Sequence, residues 1–219
     1  MIKTSKASLI GTSIAYKWLE DLFMKNILLT LVLVSSSLHA GYSANVAFTT
    51  DYIWRGMTQS DGSAIQGGFD FESDSGFYAG IWGSNVNFND GNGQELDYYA
   101  GYTTSLGIIG VDLGYIIYDY PDSNPDLKFE EMYLGLSLFD FGVTYAQGKD
   151  NAPDYLEFSY SKGGFSVSYG EYDDFGNNTT AGYGFACGSF ECSVGYYDFS
   201  DKGYGADEDG VFFSVSASL

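Results

Sequence analysis

Residues Asn45–Arg55 read NVAFTTDYIWR, and their side chains alternate in character. Val46, Phe48, Thr50, Tyr52 and Trp54 take the even positions, while Asp51 and Arg55 take the odd ones. Successive side chains of a β-strand point to opposite faces, so this period of two predicts a strand with one apolar and one polar side. The pattern recurs. In 65–72, Ile65, Gly67, Phe69 and Phe71 oppose Gln66, Asp70 and Glu72. In 211–219, Val211, Phe213, Val215, Ala217 and Leu219 oppose Phe212, Ser214, Ser216 and Ser218. Similar segments fall near 77–85, 95–104, 108–118, 129–138, 141–147, 155–160, 165–170, 180–187 and 192–197, which makes twelve. Segment 77–85 is ambiguous, with Phe77 and Ile81 on one face and Tyr78 and Trp82 on the other.

The connections alternate as well. Tight ones such as SDSG (73–76), SLG (105–107), FD (139–140), KGG (162–164) and GSFE (188–191) interleave with long polar ones. DYPDSNPDL from Asp119 and DFSDKGYGADEDG from Asp198 are examples of the long, acidic kind. An even strand number, short turns at one end and long loops at the other predict an all-β, transmembrane, up-and-down antiparallel barrel of twelve strands, with both termini periplasmic. A soluble β-sandwich or barrel also alternates. Its buried face, however, would be aliphatic and its loops would not sort by length. Here Tyr and Trp mix into the apolar face near strand ends, as in an interfacial girdle.

Composition agrees: 20 Tyr, 17 Phe and 29 Gly against 3 Pro is a β-rich inventory. Before the barrel, Met24–Ala40 reads MKNILLTLVLVSSSLHA, with one Lys, an apolar run too short to span a bilayer as a helix, and small residues before the cut. This is the layout of a secretory signal peptide. The expected division is therefore 1–23 as an over-extended start, 24–40 as the signal peptide and 41–219 as the barrel, the alternative for 1–23 being a genuine extension. Beyond residue 40 the chain keeps five basic against 27 acidic residues, a net charge of −22. That excludes nucleic acid as a partner, because no basic patch exists to neutralise phosphates.

Residues 45–70, NVAFTTDYIWRGMTQSDGSAIQGGFD, resemble the opening of the TorF-type porin family, whose first strand has the form S/T-D-Y-x-F/W-R-G-x-x-Q-T/S. The matching positions are Thr50, Asp51, Tyr52, Trp54, Arg55, Gly56, Gln59 and Ser60, and SGFYAGIWGSNVNF at 75–88 fits the family's next hairpin. The resemblance implies an outer-membrane barrel of Gram-negative bacteria that acts as a channel for small solutes. The chain departs from the usual barrel ending by closing on Leu219 rather than an aromatic.

If the apolar face meets lipid, the opposite parity lines the lumen. That turns Asp51, Asp70, Glu72, Asp97, Asp112, Glu131, Glu157 and Glu191 inward, with Arg55 as the inward cation. A guanidinium among carboxylates can hold a fork of hydrogen bonds. Asp51, four residues earlier on the same strand, is ~13 Å away at ~3.3 Å per residue, so the partner of Arg55 is expected on another strand or loop. Arg55 then either orders loop one through a structural ion pair or forms part of a charge-screening constriction. The excess of acid predicts a cation-biased pore. Inward Gly101, Gly114, Gly135, Gly182 and Gly184, with Ser166 and Ser168, leave room for a narrow one, or serve strand bending. A plugged, non-conducting barrel acting through its acidic loops is the alternative.

No cofactor or metal is expected. Asp201, Asp207, Glu208 and Asp209 are oxygen-rich but lack EF-hand spacing, and loose divalent bridging to lipopolysaccharide is their expected use. The single His, His39, lies within the expected signal peptide, which excludes a Ser–His mechanism and argues against an enzyme. Cys187 and Cys192 flank a tight turn. Pairing them also pairs Phe185 with Val194 and Tyr183 with Tyr196, so a structural disulfide between directly opposed residues is expected.

Overall fold

The computed structural model describes residues 40–89, 93–121, 127–149, 152–203 and 205–219. The expected signal peptide and the segment before it lie outside the described residues, apart from Ala40. The first barrel strand, β1, is Ala40–Thr49. Two short strands follow, β2 (Ile53–Trp54) and β3 (Met57–Thr58), then β4 (Ala64–Ser73), β5 (Phe77–Asn85), β6 (Gln94–Leu106) and β7 (Ile109–Asp119). The second half comprises β8 (Phe129–Leu138), β9 (Phe141–Gly148), β10 (Tyr155–Lys162), β11 (Phe165–Tyr172), β12 (Gly176–Cys187), β13 (Phe190–Asp201) and β14 (Glu208–Ser218).

All strands except β2 and β3 form one closed antiparallel barrel, each pairing with its neighbours in sequence order and β1 closing on β14. The closing register runs from Asn45 opposite Ser218 to Thr49 opposite Ser214, and Ala44 and Leu219 exchange backbone hydrogen bonds at its end. This is the twelve-stranded all-β barrel that the alternation predicts. Both described chain ends emerge at the short-turn end.

The exterior is apolar. Ile65, Phe69, Leu113, Leu134, Phe141, Phe158 and Val211 all point outward, and Phe69 is 70% exposed. A water-soluble monomer does not carry a continuous apolar belt of this extent. Strands of 8 to 13 residues, tilted as a barrel requires, suffice to cross a hydrocarbon core. The register also resolves the ambiguous β5: Ile81 faces outward with Phe69 and Tyr98, so Tyr78 and Trp82 enter the lumen.

Three expectations need correction. The first strand stops at Thr49, so 50–55 do not continue its alternation; β2 and β3 pair only with each other. Tyr52 and Trp54 therefore leave the lipid-facing side, because the chain folds back into the barrel where aromatic rings can be buried. Second, the connection between β11 and β12 is only 173–175, since both strands run further than expected towards the long-loop end. Polar residues such as Asn177 and Thr179 continue the ladder there, where the wall no longer needs an apolar face. Third, Cys187 stands opposite Phe190 and Cys192 opposite Phe185, so the two cysteines are diagonal rather than directly paired. They are nonetheless joined, with Cα atoms 5.8 Å apart. The two-residue turn at Gly188–Ser189 sets this tighter register.

Candidate functional site: the lumen and its long-loop mouth

The mouth is built around the hairpin that the 50–63 connection inserts. Arg55 and Gly56 join β2 to β3 with φ of 47° and 81°, the two successive positive values of a type I′ turn. Gly56 is required twice, because a Cβ there would lie 2.6 Å from the Asn178 Cβ and 2.8 Å from the Asp198 carbonyl oxygen. The hairpin thus rests directly on the wall. Backbone bonds fasten its stem: Gln59 N donates to Tyr52 O at 2.7 Å, and Asn87 N to Gln59 O at 2.8 Å. Thr58 N donates to Glu208 Oε2 at 2.8 Å, and the Thr58 hydroxyl to Asp51 Oδ1 at 2.6 Å.

At the tip, Arg55 Nη1 and Nη2 donate to the two Glu131 oxygens at 2.8 Å each. The guanidinium also faces the rings of Tyr155 (4.0 Å), Trp54 (4.4 Å) and Tyr172 (5.5 Å). Side-chain exposure is 13% for Arg55 and 2% for Glu131, so the pair is buried. Burial works against the cation, but the Glu131 hydrogen bonds outweigh it and hold the Arg55 pKa above its usual value. The Tyr118 hydroxyl gives Glu131 a further donor at 3.2 Å. Arg55 therefore sits on an inserted turn rather than on strand one, and its partner lies on β8.

Aromatic packing fills the remaining space. Tyr52 meets Trp82 edge-on at 5.3 Å, and Trp54 contacts Tyr118, Phe129 and Tyr172 at 5.6, 6.0 and 6.3 Å. Two buried clusters, one around Tyr52, Val86, Tyr118 and Tyr120 and the other around Ala146, Tyr155, Tyr172 and Phe199, both pack against Trp54. Glu95, one residue outside the expected inward set, is 2% exposed and accepts from the Tyr52 hydroxyl at 3.3 Å. It is the second residue of β6 and has the parity of Asp97, which was the signal for it. Asp97 is buried beside it. Burial, then the carboxylates of Glu95 and Asp97, push the Tyr52 phenol far above its usual pKa.

The other expected lumen acids are distributed along the barrel. Asp70 accepts from the Tyr99 hydroxyl and from Asn45 Nδ2 at 3.4 Å. Asp112 accepts from Tyr78 at 2.7 Å, and Glu157 from Tyr155 at 3.1 Å. Glu72 and Glu191 face inward at the short-turn end. Asp51 leaves the strand and caps loop one instead. Among the described residues, no barrel strand turns a Lys or Arg inward; Lys162 points out and pairs with Asp140 at 2.9 Å.

Several inward glycines do not widen the pore. A Cβ at Gly101 would lie 2.2 Å from the Tyr78 hydroxyl oxygen, at Gly114 2.3 Å from the Tyr133 ring, and at Gly170 2.0 Å from the Tyr155 hydroxyl oxygen. Rings from adjacent strands lie across these positions. Gly135 and Gly184 meet no atom closer than 3.5 Å. The small-residue space survives towards the short turns, in cavities of about 330 Å³ (Thr103, Gly110, Asp112, Gly135) and about 380 Å³ (Gly184, Glu191, Ser193, Ser214). The hairpin and its aromatic contacts occupy the lumen at the long-loop mouth, and these two cavities lie towards the short turns. Among the acids of the last long loop, Asp207 Oδ1 accepts from Asp201 N at 2.9 Å, and Asp201 Oδ2 from Gly203 N at 2.6 Å.

Fold and site together define a barrel of transmembrane type with an acidic lumen and an inserted loop. Residues 35–209 match the model of the Gcw_chp family, described as a bacterial protein of unknown function, and the chain belongs to that family. No curated protein matches. Among solved structures, the chain is similar to OccK5 (OpdH) of Pseudomonas aeruginosa, at 15% identity, 82% of this chain, 67% of that one and a TM-score of 0.38. It is also similar to OccK9 (OpdG) of Pseudomonas aeruginosa (12%, 84% and 58%, 0.38) and OccAB3 of Acinetobacter baumannii (10%, 83% and 64%, 0.36). The chain thus spans 58–67% of the length of these proteins. With identities and TM-scores this low, the likeness carries no argument about function.

Proposed function

We propose that the protein is a channel of the Gram-negative outer membrane, narrow and cation-biased, whose constriction is the loop-one hairpin. The observation that carries this reading is the lumen charge. Inward parity gathers Asp70, Glu72, Glu95, Asp97, Asp112, Glu131, Glu157 and Glu191, and the cation facing them, Arg55, is held by Glu131. Acidic walls lower the energy of a cation in a pore and raise that of an anion. The apolar exterior suits lipid, and on this reading the short turns and both termini are periplasmic, with the acidic loops at the lipopolysaccharide surface. The resemblance of residues 45–70 to the TorF-type porin opening points the same way.

A second reading has one observation in its favour. The mouth is packed by Tyr52, Trp54 and Arg55, so the barrel acts as a closed surface protein through its long loops. Planar-bilayer conductance in a KCl gradient separates the two, with the intact chain beside a variant in which 52–60 is replaced by a short Gly-Ser linker. Small cation-selective steps that grow on hairpin removal support the constricted channel. A silent intact barrel that conducts only without the hairpin favours the closed reading. Silence from both folded proteins, or anion selectivity, overturns the channel.

A further inference from the structure

Strand register paves part of the inner wall, from β4 to β8, with tyrosine rings. In one row Asp70, Gly80 and Tyr99 stand side by side on β4, β5 and β6, and the Tyr99 hydroxyl reaches across Gly80 to donate to Asp70. In the next row Tyr78, Gly101, Gly114 and Tyr133 stand on β5, β6, β7 and β8. Tyr78 and Tyr133 lean towards each other over the two glycines until their hydroxyls bond, and Tyr78 also donates to Asp112 at 2.7 Å. A Cβ at Gly80 would lie 2.5 Å from Tyr99 Cζ, a conflict of the same kind as those at Gly101 and Gly114. The rings therefore lie along the wall instead of projecting across the bore. One face of each packs on the neighbouring strand and the other is turned to the lumen, which leaves all three half-buried.

We propose that this tyrosine panel is a binding site for small organic ammonium ions, of which a quaternary ammonium is the simplest case. A ring face carries negative potential and attracts a cation placed over it. Each phenol that donates to a carboxylate is polarised further in that sense. Asp70 and Asp112 stand at the edges of the panel, and the hydroxyl and amide donors that reach them leave their negative charge in place. A quaternary ammonium has no N–H to satisfy, holds its water weakly and buries methyl groups against the rings, whereas a metal cation must give up strongly held water to do the same. Asp112 also lines the cavity of about 330 Å³ towards the short turns, which leaves room beside the panel for the body of such an ion. The inference rests on the acidic-lumen reading and names the class of cation that this stretch of wall selects. Binding does not require conduction, so its failure and a silent bilayer are separate results.

The test follows the choline methyl resonance by NMR as the full chain in maltoside micelles is titrated at fixed ionic strength, against blank micelles. Choline is expected to bind at least ~10-fold more tightly than dimethylbutanol, its uncharged isostere. Tyr99→Leu/Tyr133→Leu removes two ring faces and should weaken choline by about 10-fold, two part-exposed cation–π contacts together supplying that much. Tyr99→Phe/Tyr133→Phe keeps both faces and should bind within ~3-fold of the unmodified chain. Asp70→Asn/Asp112→Asn retains the acceptors for both tyrosines, so it tests the site even if the leucine variant does not fold, and it should weaken choline by about 10-fold. No choline binding by about 50 mM, equal binding of dimethylbutanol, or an unchanged affinity in the folded leucine or asparagine variant overturns the proposal.

Discussion

The Arg55–Glu131 pair should hold the hairpin in the mouth, and its strength can be worked from its surroundings. Glu131→Gln removes the counter-charge from a guanidinium that is 13% exposed. Breaking a buried pair from one side costs about 3–5 kcal/mol. The lower end applies here, because the amide oxygen still accepts one hydrogen bond and the rings of Trp54, Tyr155 and Tyr172 still face the cation. A loss of ~3 kcal/mol makes local opening of the hairpin ~100-fold more frequent. Two amides report that opening directly, Gln59 N and Asn87 N, whose acceptors are Tyr52 O and Gln59 O. Amide hydrogen exchange in micelles should therefore accelerate ~100-fold at both positions, while amides in the β6–β7 ladder stay protected. Arg55→Ala leaves Glu131 buried with Tyr118 alone and should act comparably. The double variant should fall short of the sum of the singles by ~2 kcal/mol. If each single variant changes exchange by less than ~5-fold and the cycle is additive within ~0.5 kcal/mol, the pair does not hold the hairpin and the account of the mouth fails.

Other consequences can be checked on the folded barrel. Gly195→Ala places a Cβ 2.4 Å from the Phe212 ring; it should cost about 1–3 kcal/mol in urea unfolding and be partly rescued by Phe212→Leu. Leu113→Lys, on an outward face 53% exposed, should destabilise the barrel in a lipid bilayer by about 2–4 kcal/mol, whereas Ser168→Lys, facing the lumen, should cost under about 1 kcal/mol. The Cys187–Cys192 bond closes only a short loop, the sequence separation being 5, so its reduction should lower the unfolding free energy by no more than ~2 kcal/mol and leave the exchange of Gln59 unchanged.

The sequence by itself determined the wall. A period of two is a local property of extended chain, so the outward sets of Ile65 and Phe69, or Val211 and Phe213, could be assigned without knowing what they touch. Parity then placed Asp70, Asp112, Glu131 and Glu157 inward, and it applied equally to Glu95 at the edge of its segment. Alternation could not show where it stops mattering. Residues 50–55 keep the strand pattern, yet Tyr52 and Trp54 are drawn inward because an inserted hairpin buries their rings against Trp82, Tyr118 and Tyr172. The only local sign was Arg-Gly, a pair suited to the positive φ of a tight turn. Tertiary structure alone decided that Arg55 meets Glu131, 76 positions away, and that the inward glycines seat rings of the next strand. Both depend on which strands lie side by side and how far each is staggered. The same holds for the cysteines, whose spacing foretold the bond while the turn set their register. What lines a barrel is written in its period; what fills it depends on the space that closure leaves.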